Sequence, residues 1–193
     1  MHPAPMLSPA PSLVVMTAAE DLWGPGPRSG GEAIREAVGR LAAHGVPIVL
    51  SSHDGAAGVL ALQRTLGIAG PFICDAGAAL YLPAGYFGAL PGLGHRVDGW
   101  DVIPCASPRR DAGESPEAVR LVVSLFRMCA GEVIIVGVAS QWRDRVLLRE
   151  ADVPIVIRRD GEQERLRVRF PTAYVTEQHG PAGWIEAMLG SGG

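Results

Sequence analysis

Short apolar runs alternate with amphipathic stretches along most of this chain. Runs rich in Val, Ile and Leu predict buried strands, whereas apolar residues spaced three and four apart predict helices. The predicted strands cover residues 13–17, 46–51, 71–74, 78–82, 132–138 and 153–157. The predicted helices cover residues 31–44, 55–66, 141–150 and 181–189, and a further helix begins at Ser115. This alternation predicts an α/β fold, a mostly parallel sheet with helices on both faces.

The residues that flank these segments agree with the same boundaries. Gly45 and Gly67 follow the helices over residues 31–44 and 55–66, as a left-handed residue often does at a helix end. Ser115 and Pro116 suit the N-cap and the first position of the helix that they open. Reactive crevices in such folds lie at the carboxyl ends of the strands. The loops after Thr17, Ser51 and Val138 are therefore where a functional site is expected.

Composition narrows the class of protein. The chain has 193 residues, of which 48% are hydrophobic and 19% are charged, as in globular proteins. We expect residues 12–190 to form a single core domain between a flexible tail over 1–11 and a frayed end over 191–193. The tail lacks the features of a signal peptide, and no apolar run is long enough to cross a membrane. Three cysteines without metal-ligand spacing indicate free thiols in a reducing cytoplasm.

The charges argue against a nucleic-acid partner. The net charge is −3, and the densest basic cluster, over residues 158–169, is interleaved with acidic residues. That pattern predicts a solvated hairpin better than a surface for nucleic acid. All 17 basic residues are Arg, so the protein has no lysine ammonium with which to perform chemistry.

Polar side chains follow three of the predicted strands and are the candidate site residues. The candidates for ligand binding are Glu20, Asp21, Ser52, His53, Arg143 and Asp144. Each also has a simpler interpretation, because loop carboxylates and exposed helical residues are common without any function. The tryptophans are interpreted as packing residues. Ser140 has no partnered base and is therefore not expected to act as a nucleophile.

Four stretches of sequence carry a resemblance to a known family. They lie over residues 45–52, 62–83, 136–154 and 180–184, and include the runs Gly-Val-Pro-Ile-Val-Leu-Ser-Ser and Gly-Pro-Ala-Gly-Trp. In order and spacing the chain resembles the haloacid-dehalogenase (HAD) phosphatases, and most closely the mannosyl-3-phosphoglycerate phosphatase branch. The resemblance implies a Rossmann-like HAD core.

The resemblance also implies a reaction whose residues are mostly missing. The family uses an Asp nucleophile, a second Asp two residues later as acid and base, a phosphate-binding hydroxyl and cation, and Mg²⁺. In this chain the positions that match the family's motifs are vestigial. They are Ala18 for the nucleophile, Glu20 for the acid and base, Ser52 for the hydroxyl, Ser115 for the cation, and Ser140 and Asp144 for the metal carboxylates.

Two further departures concern the cation and the cap domain. Arg109 or Arg110 is an open alternative for the missing cation. The family inserts a cap domain after the region that ends at Pro83, but only about thirty residues separate it from the next motif here, too few for a domain. We therefore expect a core without a cap.

Three functions remain open at this stage. The first is a pseudophosphatase with a binding, assembly or regulatory role, with no catalytic residue and no cofactor, and with a homodimer or protein partner. The second is a divergent phosphatase that uses Glu20 or Asp21 with Mg²⁺ on a small phosphate ester. The third is a small-anion binder that uses Ser52 and Arg143. No metal site is expected, and Asp144 is the remaining candidate ligand.

Overall fold

The computed structural model describes residues 11–23, 31–90, 92–105 and 115–190. The predicted tail (apart from its last residue), the predicted frayed end, and Arg109 and Arg110 lie outside the described residues. The strands of the described part are β1 (Leu13–Ala18), β2 (Ile48–Ser51), β3 (Phe72–Cys74), β4 (Ala79–Pro83), β5 (His95–Val97), β6 (Trp100–Pro104), β7 (Ile134–Ala139), β8 (Val153–Arg158) and β9 (Tyr174–His179).

These strands form one sheet in the order β5-β6-β4-β3-β2-β1-β7-β8-β9. From β3 to β9 in that order all neighbours are parallel, whereas β4, β6 and β5 add an antiparallel edge. The predicted fold class, an α/β fold with a mostly parallel sheet, is confirmed. No helix in the described part of the chain is long and apolar enough to cross a membrane.

The helices of the described residues cover both faces of the sheet. They are α1 (Ala19–Leu22), α2 (Gly31–Ala43), α3 (Ala56–Leu66), α4 (Pro116–Ala130), α5 (Arg145–Arg149), α6 (Gln163–Arg169) and α7 (Gly180–Leu189). One core cluster packs the sheet against α4 and α5, and a second packs it against α2, α3 and α7. A small third cluster packs β7 and β8 against α5 and α6. Ser115 caps α4 as predicted, because its hydroxyl accepts a hydrogen bond from the Glu117 N–H.

The central strand β1 shows why the apolar runs are continuous. Val14 and Met16 point into the cluster beneath α4, and Val15 points into the cluster beneath α2 and α3. Because successive side chains of a strand face opposite sides, a sheet covered on both faces needs apolar residues at every position. The site at the end of β1 is therefore placed by a strand that is buried along its length.

Gly137 lets α5 approach the sheet. A Cβ atom at this position of β7 would lie 2.2 Å from the Leu147 carbonyl oxygen and 2.7 Å from the Ala151 Cβ. Both distances are far below van der Waals contact, so only glycine fits without a shift of the backbone. The close approach fixes α5 and the turn before it, which carries Arg143 and Asp144.

The structure corrects one expectation and adds two strands that the sequence did not predict. The Arg-rich cluster is not a hairpin: β8 ends at Arg158, and α6 follows with Leu166 fully buried. The Gly- and Pro-rich passage after β4 contains β5 and β6, which extend the main sheet. Its described residues build no separate cap, in line with the prediction. The single-domain boundaries, the homodimer and the protein partner stay predictions.

Candidate functional site

The site begins where β1 ends. Ala18 is the last residue of the strand, pairs with Ser51 of β2, and is 1% exposed. Its methyl group carries no lone pair, so the position cannot supply a nucleophile. The short helix α1 follows immediately and places Glu20 and Asp21 at the edge of the sheet.

A buried hydrogen bond connects the end of β1 to α7. The Trp184 indole Nε1 donates to Thr17 Oγ1 over 3.2 Å, and the Trp184 side chain is fully buried. This confirms the interpretation of Trp184 as a packing residue. Because His179 is the N-cap residue of α7, the same contact brings the start of α7 beside α1.

Glu20 pairs with Arg143 across the crevice. The Arg143 Nη2 donates to Glu20 Oε1 over 3.2 Å. Glu20 Oε2 is buried and has no hydrogen-bond donor among the described residues. Burial raises the pKa of Glu20, and the nearby Asp144 carboxylate adds to the rise while the Arg143 guanidinium opposes it.

Asp21 is the most perturbed carboxyl group of the site. It is 2% exposed, and its Oδ2 has no donor in the described part of the chain. Burial raises its pKa from 3.8 to about 7, the Ser140 hydroxyl partly opposes the shift, and Asp144 and Glu20 increase it. A buried carboxyl group of this kind holds a proton up to about neutral pH.

His53 and Asp144 form a second pair on the floor of the crevice. The His53 Nε2 lies 2.9 Å from Asp144 Oδ1, and the Asp144 side chain is 3% exposed. Asp144 Oδ2 lacks a donor among the described residues. The simpler interpretation of Asp144, as an ordinary exposed helical residue, is therefore wrong. Arg143 Nε also lies 4.0 Å from Asp144 Oδ1, which links this pair to the Glu20 pair.

The serines of the vestigial motifs lie around this cluster. Ser52 is buried, and its Oγ accepts from the backbone N–H of the exposed Asp54 over 3.1 Å. Ser140 follows β7 beside Asp21 and is 2% exposed. The Ser115 N–H donates to the Ala76 carbonyl oxygen over 2.9 Å, so its position is set by the turn after β3. The structure thus gathers the predicted residues at one edge of the sheet.

Two clefts open on either side of Trp23. A larger one, of about 720 Å³, lies between α1, the end of β8 and the start of α7, and we call it the arginine cleft after Arg143, Arg158 and Arg159. A smaller one, of about 310 Å³, lies between Trp23 and α3. Trp23 is 56% exposed, so its interpretation as a packing residue is wrong.

Sequence reasoning missed the arginine wall of the larger cleft. With the Gln141 amide oriented to satisfy both guanidinium groups, its oxygen accepts from Arg143 Nη2 over 3.3 Å and from Arg159 Nη1 over 3.1 Å. The available signal was the position of Arg158 and Arg159 directly after a predicted strand, which places them at the reactive edge of the sheet.

Comparison with known proteins shows which solved structures share the fold. No family model matches the sequence, and no curated protein sequence matches it. Among solved structures, the sucrose-phosphatase from Synechocystis sp. PCC6803 has a TM-score of 0.60 at 11% identity, with 92% of this chain and 96% of that chain covered. A HAD subclass IIB sugar phosphatase has a TM-score of 0.59 at 11% identity, over 91% and 97%. The fold is that of the HAD superfamily hydrolases.

A third similar structure contains the ligands of the phosphatase reaction. The 3-deoxy-D-manno-octulosonate 8-phosphate phosphatase from Moraxella catarrhalis has a TM-score of 0.54 at 14% identity, over 93% of this chain and 84% of that chain. It was solved with a magnesium ion, a phosphate ion and a KDO molecule. At these identities the likeness extends to the fold, the HAD core, and not to one activity or substrate.

The residues present do not fit Mg²⁺. This ion requires near-octahedral oxygen ligands, mostly carboxylates and water. Here Ala18 offers a methyl group, Ser140 offers a hydroxyl, and Asp144 Oδ1 lies against His53. Among the residues that the structure describes, no group of three His, Cys, Asp or Glu side chains could hold a metal ion.

Proposed function

We propose that this protein is a ligand-binding protein on a HAD phosphatase core and that it does not transfer phosphoryl groups. The observation that carries the proposal is Ala18, a buried methyl group at the end of β1 where the phosphatases place their nucleophile. Removing the nucleophile of a covalent mechanism costs about 10⁴- to 10⁶-fold in rate. The unsuitable donor set for Mg²⁺ supports the same proposal.

The neighbouring carboxylates are poor replacements for the nucleophile. Glu20 is held by Arg143, and the neighbouring Asp21 is buried and protonated up to about pH 7. When both are charged, a phosphate dianion at the end of β1 would meet two carboxylates, and the Arg143 guanidinium beside them is already paired with Glu20. The electrostatic field at this point therefore opposes the substrate that the fold usually accepts.

A divergent phosphatase is the second candidate, and one observation favours it. Glu20 Oε2 and Asp21 Oδ2 both lack donors among the described residues, and both side chains line the arginine cleft. Either carboxylate could in principle attack phosphorus if a substrate displaced Arg143. The mannosyl-3-phosphoglycerate substrate is proposed only on the sequence resemblance, and it enters the test for that reason.

Turnover decides between the two candidates. We expect phosphate release from an aryl phosphate and from mannosyl-3-phosphoglycerate to equal the buffer rate, with and without Mg²⁺, because no placed nucleophile is present. The assay is run on either side of pH about 7, so that Asp21 is tested in both protonation states. A sugar phosphatase of the same fold serves as the positive control.

Variants make a positive result interpretable. Glu20→Gln and Asp21→Asn remove each carboxylate, and Asp98→Asn is the matched control because Asp98 is exposed in the turn between β5 and β6. Mg²⁺-dependent release by the wild type that is lost in Glu20→Gln or Asp21→Asn, and retained in Asp98→Asn, would refute the binding-protein proposal and identify the relocated nucleophile.

A further inference from the structure

The arginine cleft carries charges of both signs. Its lining includes Glu20 and Asp21 of α1, which we call the acidic wall, and Arg158 and Arg159 at the end of β8, which we call the basic wall. Arg143, which is paired with Glu20, and Asp160 also line it. Its volume of about 720 Å³ is in the usual range for a small-molecule site. Charges of both signs in one cleft favour a ligand that itself carries both charges.

Two oxygen atoms of the acidic wall lack hydrogen-bond donors among the described residues. Asp21 is 2% exposed, and its Oδ2 has no hydrogen-bond donor among the described residues. Glu20 Oε2 is in the same situation, since Arg143 donates only to Oε1. The chain contains no lysine, so no side-chain ammonium group can pair with this wall. Buried acceptors without donors are costly unless something supplies them.

The basic wall is preorganised for an anionic group. With the Gln141 amide in the orientation that satisfies both guanidinium groups, its oxygen accepts from Arg159 Nη1 over 3.1 Å. Arg158 Nη1 donates to the Glu177 carbonyl oxygen over 3.3 Å. The N-terminus of the ten-residue helix α7 also opens on the cleft at Gly180. Unpaired N–H groups at the start of a helix attract anions, and the two guanidinium groups add full charges.

We propose that the arginine cleft binds a small zwitterion of the α-amino acid class, with its ammonium group at Asp21 and Glu20 and its carboxylate at Arg159 and the start of α7. This inference rests on the proposed function, because it assigns a ligand to a site without turnover. Trp23 supplies an aromatic surface at the mouth of the cleft, against which the ligand's side chain packs.

Binding should depend on pH with a defined sign. An ammonium group pairs with Asp21 only when that carboxyl group is charged, and burial raises its pKa to about 7. Affinity therefore increases as the pH rises through about 7. The groups that face Asp21 are Ser140, Glu20, Asp144 and Arg159, and the two carboxylates among them strengthen the preference for a cation.

The test is calorimetric titration of the full chain with each of the common amino acids in turn. Two matched probes are then made for the best binder, its decarboxylated amine and its hydroxy acid, and inorganic phosphate is a third. We expect the amino acid to bind about tenfold or more tightly than each probe, because each probe leaves one wall unpaired. We expect Asp21→Asn and Arg159→Gln each to weaken binding by about tenfold, whereas Arg35→Gln, on the exposed face of α2, leaves it unchanged.

Each outcome has a distinct meaning. No binding by any amino acid, or equal binding of the hydroxy acid, overturns the zwitterion inference. Tighter binding of phosphate that does not change in Asp21→Asn also overturns it, in favour of an anion site. None of these binding results measures phosphoryl transfer, so none of them bears on the proposal that the protein does not transfer phosphoryl groups. Turnover with Mg²⁺ in the phosphate-release assay refutes the proposed function separately.

Discussion

Asp21→Asn is expected to stabilise the protein at neutral and alkaline pH, by up to about 4 kcal/mol. The pKa of Asp21 is raised from 3.8 to about 7, a shift of about three units, and each unit corresponds to about 1.4 kcal/mol. The cause is burial, which penalises the charged carboxylate. Asparagine has the same shape and carries no charge, so it removes the penalty.

The sign of the pH dependence follows from proton binding. Between pH about 4 and about 7, folded Asp21 keeps a proton that the unfolded chain has released. Stability from this group is therefore fully present below pH about 4 and is lost as the pH rises through about 7. The difference between variant and wild type should grow across this window and stay constant above it.

Urea unfolding at a series of pH values measures this effect. Asp98→Asn is the matched control, since Asp98 is exposed and the substitution has the same chemistry. We expect its pH profile to run parallel to that of the wild type. If the Asp21→Asn profile is also parallel, burial of a protonated Asp21 is wrong, and the charge at the acidic wall has to be reconsidered.

Gly137→Ala is expected to destabilise the protein by about 3 kcal/mol or more. The new methyl group would meet the Leu147 carbonyl oxygen at 2.2 Å and the Ala151 methyl at 2.7 Å. These neighbours are backbone and a short side chain, which have no rotamer with which to move away. Either α5 separates from β7 or the strand bends, and overpacking of this kind costs on the order of 1–3 kcal/mol even where side chains can adjust.

The control for this substitution is Gly39→Ala. Gly39 lies on the exposed side of α2, and a Cβ atom there would have no neighbour within 4 Å. Alanine is the better helix former, so this variant should gain about 0.5–1 kcal/mol. Urea unfolding compares the two variants. A Gly137→Ala protein within about 0.5 kcal/mol of the wild type would show that α5 does not pack on β7 as closely as described.

The sequence predicts the central strands and most of the longer helices because their patterns are strong. β1 and β7 are apolar at nearly every position, and α4 begins with Ser115 and Pro116. Tertiary packing decides the rest. α6 has one fully buried residue, Leu166, among charged neighbours, which is too few to produce a periodic signal.

The hairpin of β5 and β6 was not predicted, although the sequence contains a pattern typical of one. Asp98 and Gly99 form its turn, and Arg96, Val97 and Trp100 flank them in the order typical of a two-residue hairpin. The surrounding Gly- and Pro-rich composition obscured this pattern. Positive φ values of 46° at Asp98 and 86° at Gly99 agree with a turn of this type.

The candidate site was predictable in its residues and not in its contacts. Ala18, Glu20 and Asp144 follow predicted strands, so their convergence follows from the fold. The pairing of Asp144 with His53, separated by 91 positions, depends on side-chain orientation, which periodicity does not report. The same holds for the wall of Arg158 and Arg159, which was interpreted as a solvated hairpin.

The central claim is that the HAD core of this protein has no working nucleophile. The most direct test exposes the protein to a small phosphoryl donor with Mg²⁺, quenches it rapidly with acid and measures its intact mass. A HAD phosphatase that retains its aspartate nucleophile is treated in parallel as the positive control. Our account predicts that this protein keeps its unmodified mass, because Ala18 cannot form a phosphoryl bond. A phosphoryl adduct that disappears in Glu20→Gln or Asp21→Asn would contradict the account.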